Sequence, residues 1–135
     1  MKLRESTHCY IDFLHLEGEI DMHYAPVLRT LLQAKAKRRC PALAVDLEGV
    51  SFIDSTGIAV LIEYLRDAAE FDGKFCLARP TEQVGVIFEI VQLRKALPIF
   101  ATIPEAIEAL RTRSRDDIAE PTFSGAAEGT RAVAA

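Results

Sequence analysis

The sequence predicts a single α/β domain ordered β-β-α-β-α-β-α-β-α around a small, mostly parallel mixed sheet. Three observations carry that prediction. Short apolar runs alternate with stretches of helical spacing, the pattern of strands joined by right-handed helical crossovers. Breakers stand between them at Pro41, Asp72-Gly73 and Pro80. The chain has 135 residues, half of them hydrophobic, enough for one core but not for two. The domain is expected over residues 1–114, with 115–135 a disordered tail rich in small residues, Gly, Ser, Thr and Pro.

Taken in order, Lys2 to Ser6 reads as a short edge strand, and Cys9 to Ile20 as a second strand closing at Glu17-Gly18. From Ala25 to Arg39 the spacing becomes helical. Pro26 sits in the tolerated first turn, and Val27, Leu31, Leu32 and Ala36 form the expected inward stripe. Ala42 to Leu47 is an interior strand, apolar on both faces, and Val50 to Ile53 returns to the core after Glu48-Gly49. The next helix, Ser55 to Phe71, is expected to bury Ile58, Leu61, Ile62, Leu65 and Ala69, with Gly73 as a left-handed cap. Lys74 to Ala78 is a further strand. Thr81 opens a helix burying Val84, Ile87, Phe88 and Val91, Ile99 to Thr102 is a weak strand, and a last helix turns Ile107 and Leu110 inward. Val60 and Tyr64, and on the following helix Val86 and Ile90, fall off the inward stripes; each pair is either core edge or partner surface.

Composition excludes several classes of function. A net charge of -4 argues against a general nucleic-acid binder, and the run Lys35, Lys37, Arg38, Arg39 reads as cations closing a helix C-terminus. Cys9, Cys40 and Cys76 are too scattered for a disulfide framework, and His8, His15 and His23 lie at no metal-ligand spacing from them. No apolar run reaches membrane-spanning length, and the N-terminus has no signal-peptide core. A reduced, cytoplasmic protein without membrane insertion, metal or cofactor is expected.

The most informative stretch is Phe52-Ile53-Asp54-Ser55-Thr56-Gly57-Ile58. Asp54 or Ser55 can serve as a helix N-cap, accepting from a free first-turn N–H. The same position suits a switch: a phosphate on an exposed Ser55 would meet unsatisfied N–H groups and add about -1.5 to -2 charges at neutral pH. Asp21 and Asp54 would supply a negative background if both strand ends share one edge. A catalytic Ser55 is not expected: neither Gly-x-Ser-x-Gly nor Ser-x-x-Lys surrounds it, and no base stands beside it in sequence. Asp-Ser-Thr-Gly is only superficially similar to an aspartic-protease motif, with one residue too many and no second copy, and no phosphate-cradling glycine loop occurs. The expectation is a protein-binding switch and not an enzyme.

Leu16-Glu17-Gly18-Glu19-Ile20-Asp21, Val45-Asp46-Leu47 and Val50 to Ile58, in this order, resemble the STAS family, and more closely its bacterial anti-sigma factor antagonists. The likeness covers about residues 2 to 112. It implies a sheet with helices packed mainly on one face, and function by partner switching. An anti-sigma factor that is also a serine kinase would bind the unphosphorylated chain, releasing its sigma factor, and then phosphorylate it. A PP2C-type serine phosphatase would reverse the modification. The resemblance places the phosphate on Ser55 and the partner contact on Asp21, Asp54, Ser55, Thr56 and Gly57, with Thr56 either a secondary acceptor or only a helix-start residue, the latter reading being favoured. Where the family often has Leu-Gly after the motif glycine, this chain has Ile58-Ala59. The alternative is a STAS-type regulatory subunit of an ABC-type transport system, docking on its ATPase.

Overall fold

The computed structural model describes residues 1–118, with side chains described through residue 111. Its order is β1 (Lys2–His8), β2 (Ile11–Ile20), α1 (Ala25–Lys37), β3 (Ala42–Ile53), α2 (Ser55–Ala69), β4 (Lys74–Ala78), α3 (Glu82–Ile90), β5 (Ile99–Phe100) and α4 (Ile103–Ile118). A short 3-10 turn, Leu93–Lys95, follows α3. The sheet runs β1-β2-β3-β4-β5, antiparallel between β1 and β2 and parallel elsewhere. The predicted element order and the mostly parallel mixed sheet are therefore both present.

The two faces of the sheet are chemically different. One carries Leu14, Leu16, Leu43, Val45, Leu47, Leu77 and other large side chains, and α1, α2 and α3 pack on it. The other carries Ile11, Phe13, Ala42, Ala44, Cys76 and Ala78, and α4 covers it with Ala106 and Leu110. Three of the four helices among the described residues share the large-residue face.

Several boundaries and faces differ from the sequence reading. Cys9 and Tyr10, expected at the start of a strand, form a two-residue turn with φ of 54° and 67°, and β1 extends to His8 to meet it. β3 is one unbroken strand, because β2 bends with it through register shifts at His15/Glu17 and Gly18/Glu19. Gly18 has φ of 105° and stands against the Met1 backbone, where a side chain would be strained. Asp72, not Gly73, takes the left-handed conformation after α2, with φ of 60°. The glycine is needed for space instead, since a Cβ there would lie 2.5 Å from Phe71 Cε1.

On α1 the buried stripe is Ala25, Leu28, Leu32 and Lys35, while Val27 is 51% exposed. Buried Lys35 sits within 2.8 Å of Glu5 and 3.0 Å of Asp12, so this member of the basic run is an internal pair and not a helix-end charge. On α2, Ile58 and Leu61 are buried as expected, but they are joined by Val60, Tyr64 and Ala68. Ile62 and Leu65 are half-buried and Ala69 is exposed. Val60 and Tyr64 are thus core. Val91, expected inside, is half exposed, and on α4 Ala106 and Leu110 are buried while Ile107 is half-buried. β5 is shorter than expected, and α4 runs past the domain edge expected at residue 114. Residues 119–135, most of the expected tail, lie outside the described residues.

Candidate functional site

The parallel arrangement of β2 and β3 brings their C-terminal ends to one edge, with Ile20 paired to Ile53. Asp21 and Asp54 follow directly. In a parallel sheet this edge is where helix N-termini and loops gather, and where sites are commonly built.

Asp54 is the N-cap of α2. Its Oδ1 accepts from the N–H groups of Thr56 (3.0 Å) and Gly57 (3.1 Å) and from the Thr56 hydroxyl. Its backbone carbonyl accepts from Ile58 N–H at 3.0 Å, and its Oδ2 accepts from Met22 N–H at 3.0 Å. One carboxylate therefore closes the first turn of α2 and ties the β2–α1 loop to it. The Thr56 hydroxyl, followed by the Gly57 and Thr56 N–H groups, holds the Asp54 carboxyl below the usual carboxylate range.

Ser55 stands one position inside the helix and is exposed. Among the described residues no partner is bonded to its side chain. The choice between Asp54 and Ser55 as cap is thereby settled for Asp54, and the cap and the free hydroxyl belong to different residues. It also narrows the expectation that a phosphate on Ser55 would find unsatisfied N–H groups to the N–H of Ser55 itself. Those of Thr56, Gly57 and Ile58 already donate to Asp54.

Asp21 is placed at the same edge but is turned to its own loop. Its Oδ1 accepts from His23 N–H at 3.0 Å and Tyr24 N–H at 3.2 Å, and its carbonyl from Ala25 N–H at 2.8 Å. This shapes the entry to α1, whose N-cap residue Tyr24 makes no side-chain cap bond. Gly57 is required by packing: a Cβ would lie 2.8 Å from both Ile20 Cγ2 and Ile53 Cγ1. Its absence lets α2 descend onto the two strand ends. The five expected contact residues thus share one edge, and Gly57 among them is buried.

Sequence reasoning missed the apolar component of this edge. Met22 is 73% exposed beside Asp54, and Phe52, at the end of β3, is 42% exposed. Large apolar side chains left in water next to a rigid polar cap are typical of contact surfaces. Their signal was weak, because Phe52 alternates correctly for a strand and Met22 falls in a turn.

A second polar cluster lies elsewhere, on the α4 face of the sheet. Asp46 Oδ2 is 2.7 Å from His15 Nδ1, and His15 Nε2 is 2.8 Å from Ser6 Oγ. The distances are those of a Ser-His-Asp relay. Asp46, however, also accepts both Arg79 Nε (3.0 Å) and Nη2 (2.6 Å), and Glu48 N–H. Burial alone would raise its pKa, but Arg79 and then His15 hold the carboxyl below its ordinary range. A carboxylate neutralised by a bidentate guanidinium gives little support to an imidazolium, so the cluster reads as a strand-to-strand brace. No histidine bonds Ser55 among the described residues. Nor does any group of three His, Cys, Asp or Glu residues there stand ready to hold a metal, and no helix among the described residues is long and apolar enough to cross a membrane.

The STAS domain model matches residues 3–106. An anti-sigma-B factor antagonist from Bacillus subtilis is 32% identical over 88 residues, 65% of this chain and 80% of that protein. Among solved structures, an anti-sigma factor antagonist from Mycobacterium paratuberculosis superposes with a TM-score of 0.75 at 26% identity, covering 82% of this chain and 93% of that one. The antagonist SpoIIAA in its unphosphorylated form gives 0.70 at 22% identity, over 82% of this chain and 97% of that one. SpoIIAA is also solved phosphorylated, where the TM-score is 0.63 at 21% identity, over 82% of this chain and all of that one. With the family match spanning most of the chain and the Asp54-Ser55-Thr56-Gly57 turn at the shared sheet edge, this protein belongs to the STAS domain family.

Proposed function

We propose that this chain is an anti-sigma factor antagonist that binds a serine-kinase anti-sigma factor and is released from it by phosphorylation of Ser55. The observation that carries the reading is the division of labour at the start of α2. Asp54 consumes the Thr56 hydroxyl and the N–H groups of Thr56 and Gly57, leaving Ser55 as the exposed, uncommitted hydroxyl on a rigid turn. A kinase finds one acceptor there, not two.

The same geometry supports a specific mode of switching. A phosphate on Ser55 would sit beside the ionised Asp54 carboxylate and find the neighbouring N–H groups already donating to it. Of the first-turn N–H groups only that of Ser55 itself is left without an acceptor among the described residues. The phosphate's added charge therefore faces outward, onto the surface that Met22 and Phe52 offer to a partner. The partner is repelled by charge and by the cost of desolvating a phosphate, with no refolding of the antagonist. A PP2C-type serine phosphatase restores binding by removing it. The relatives named as anti-sigma factor antagonists support the general role.

Incubation with the cognate kinase and ATP, followed by peptide mapping, tests the assignment. One phosphate on Ser55 and none on a Ser55→Ala variant is the expected result. Phosphate on Thr56 contradicts it. Docking on a transporter ATPase with no dependence on Ser55 would instead favour the alternative, a regulatory subunit of a transport system.

A further inference from the structure

Two exposed hydroxyls stand side by side at the start of α2, on Ser55 and on Thr56. Exposure alone therefore offers a kinase two acceptors. They differ in their bonds. The Thr56 hydroxyl donates to Asp54 Oδ1, and the Thr56 N–H donates to the same oxygen at 3.0 Å. One carboxylate oxygen thus holds Thr56 both by its backbone and by its side chain. Among the described residues no such bond reaches the Ser55 hydroxyl.

Phosphoryl transfer makes demands on an acceptor hydroxyl. An O–P bond forms at its oxygen, and the bond from the γ-phosphorus to the bridging oxygen of ATP breaks, its electron pair leaving with ADP. The hydroxyl proton passes to a base of the kinase. The hydroxyl must therefore aim a lone pair at the γ-phosphorus and its proton at that base. Ser55 can turn to do so. The Thr56 proton is instead engaged by an ionised carboxylate, in a charge-assisted bond stronger than a neutral one. That negative charge also lies beside the path of an anionic phosphoryl group. Nor does Asp54 replace the kinase's base, since its carboxyl is held below the ordinary carboxylate range and takes up a proton poorly.

We infer that Asp54 determines which hydroxyl of this turn is phosphorylated: by holding the Thr56 hydroxyl it keeps Thr56 silent, and Thr56 is a latent second acceptor that opens when the carboxylate is lost. This selection presupposes the serine kinase proposed above, and adds which of two exposed hydroxyls that kinase can use and why.

Phosphorylation of the full chain by the cognate kinase and ATP, with peptide mapping of each position, tests it. Wild type is expected to carry phosphate on Ser55 alone. In Asp54→Ala the ratio of Thr56 phosphate to Ser55 phosphate should rise at least tenfold. Both positions are read on the same chains, so a weaker hold on the kinase cancels from the ratio. Asp54→Ala combined with Ser55→Ala should take phosphate on Thr56, where Ser55→Ala alone takes none. Asp54→Asn separates the charge from the cap. Asparagine caps helices as well as aspartate does, but it holds the hydroxyl without a charge, so the ratio should rise here too. In Thr56→Val the Asp54 carboxyl, followed by NMR titration, should titrate at a higher pH than in wild type, because the hydroxyl that most depresses it is gone. A wild-type chain without phosphate on Ser55 undoes the kinase reading, and this selection with it. Wild-type phosphate on Ser55 with Thr56 silent in both Asp54 variants overturns only the role of Asp54. So does Thr56 phosphate in Asp54→Ala but not in Asp54→Asn, which would make fraying of the turn the cause. Should neither variant fold or bind the kinase, the titration decides, and an Asp54 carboxyl indifferent to Thr56→Val overturns the inference.

Discussion

Asp46 and Asp54 are both aspartates in or just after β3, both below the ordinary carboxylate range, and both near a serine. Their surroundings make them opposites. Asp46 is 3% exposed and spends its oxygens on Arg79, His15 and Glu48, and His15 in turn takes the Ser6 hydroxyl. Both carboxylate oxygens of Asp46 and both ring nitrogens of His15 are used internally. Asp54 spends its oxygens on the first turn of α2 and on Met22, and the serine beside it is left out. The brace holds strands together and presents nothing; the cap holds a loop edge together and thereby presents Ser55. A hydroxyl becomes a site when its neighbours are satisfied without it.

The largest expected effect comes from breaking the brace. Asp46→Ala leaves the half-buried His15 and Arg79 side chains without their shared acceptor and should cost about 3 kcal/mol in a denaturant melt. Binding by whatever fraction remains folded should be unchanged. The same group sets an acid limit. A carboxyl whose pKa is depressed by folding contributes stability above its unfolded value of about 3.9 and loses it as pH falls through the folded value. Wild-type stability should therefore fall as the pH drops below about 4, and the fall should be shallower in Asp46→Asn.

Gly57→Ala comes next, at about 1–3 kcal/mol, since the new methyl meets Ile20 and Ile53 at 2.8 Å and must displace the start of α2. It should also weaken partner binding, because Ser55 moves with that turn. Asp54→Ala removes the cap and the loop tie together and should cost about 1–2 kcal/mol by thermal melt. Ser55→Ala is expected to be the mildest, within about 0.5 kcal/mol of wild type, because its hydroxyl bonds nothing that folding needs. A loss as large as that of Asp54→Ala would show that Ser55 shares the capping and would undo the contrast.

Much of this architecture was legible in the sequence, because strand and helix runs were punctuated by proline, glycine and capping residues. Which face of α2 was buried was harder to read. From Ile58 to Leu65 nearly every residue is apolar, so several stripes fit, and Val60 and Tyr64 won over Ile62 and Leu65 through packing with strands far away in sequence. Tyr64 lies 4.8 Å from Phe75 in ring-to-ring contact, a pairing set by the fold. The hairpin turn at Cys9-Tyr10 carried no glycine to announce it. At the site, the edge shared by Asp21 and Asp54 was predicted, but whether Asp54 or Ser55 capped the helix turned on a single residue of register. The Ser6–His15–Asp46–Arg79 row was invisible for the same reason, since it exists only once the strand pairing is fixed.

The central claim is that Ser55 switches binding by charge on a preformed turn. The most direct measurement compares the affinity of the unmodified and the Ser55-phosphorylated chain for the anti-sigma kinase, at low and at high salt, with melting curves of both forms alongside. Phosphorylation should weaken binding by at least tenfold at low salt and by less at high salt, where the repulsion is screened, while the two melting curves coincide. Equal affinities for the two forms, or a phosphorylated form whose fold melts differently and whose loss of binding ignores salt, would contradict it.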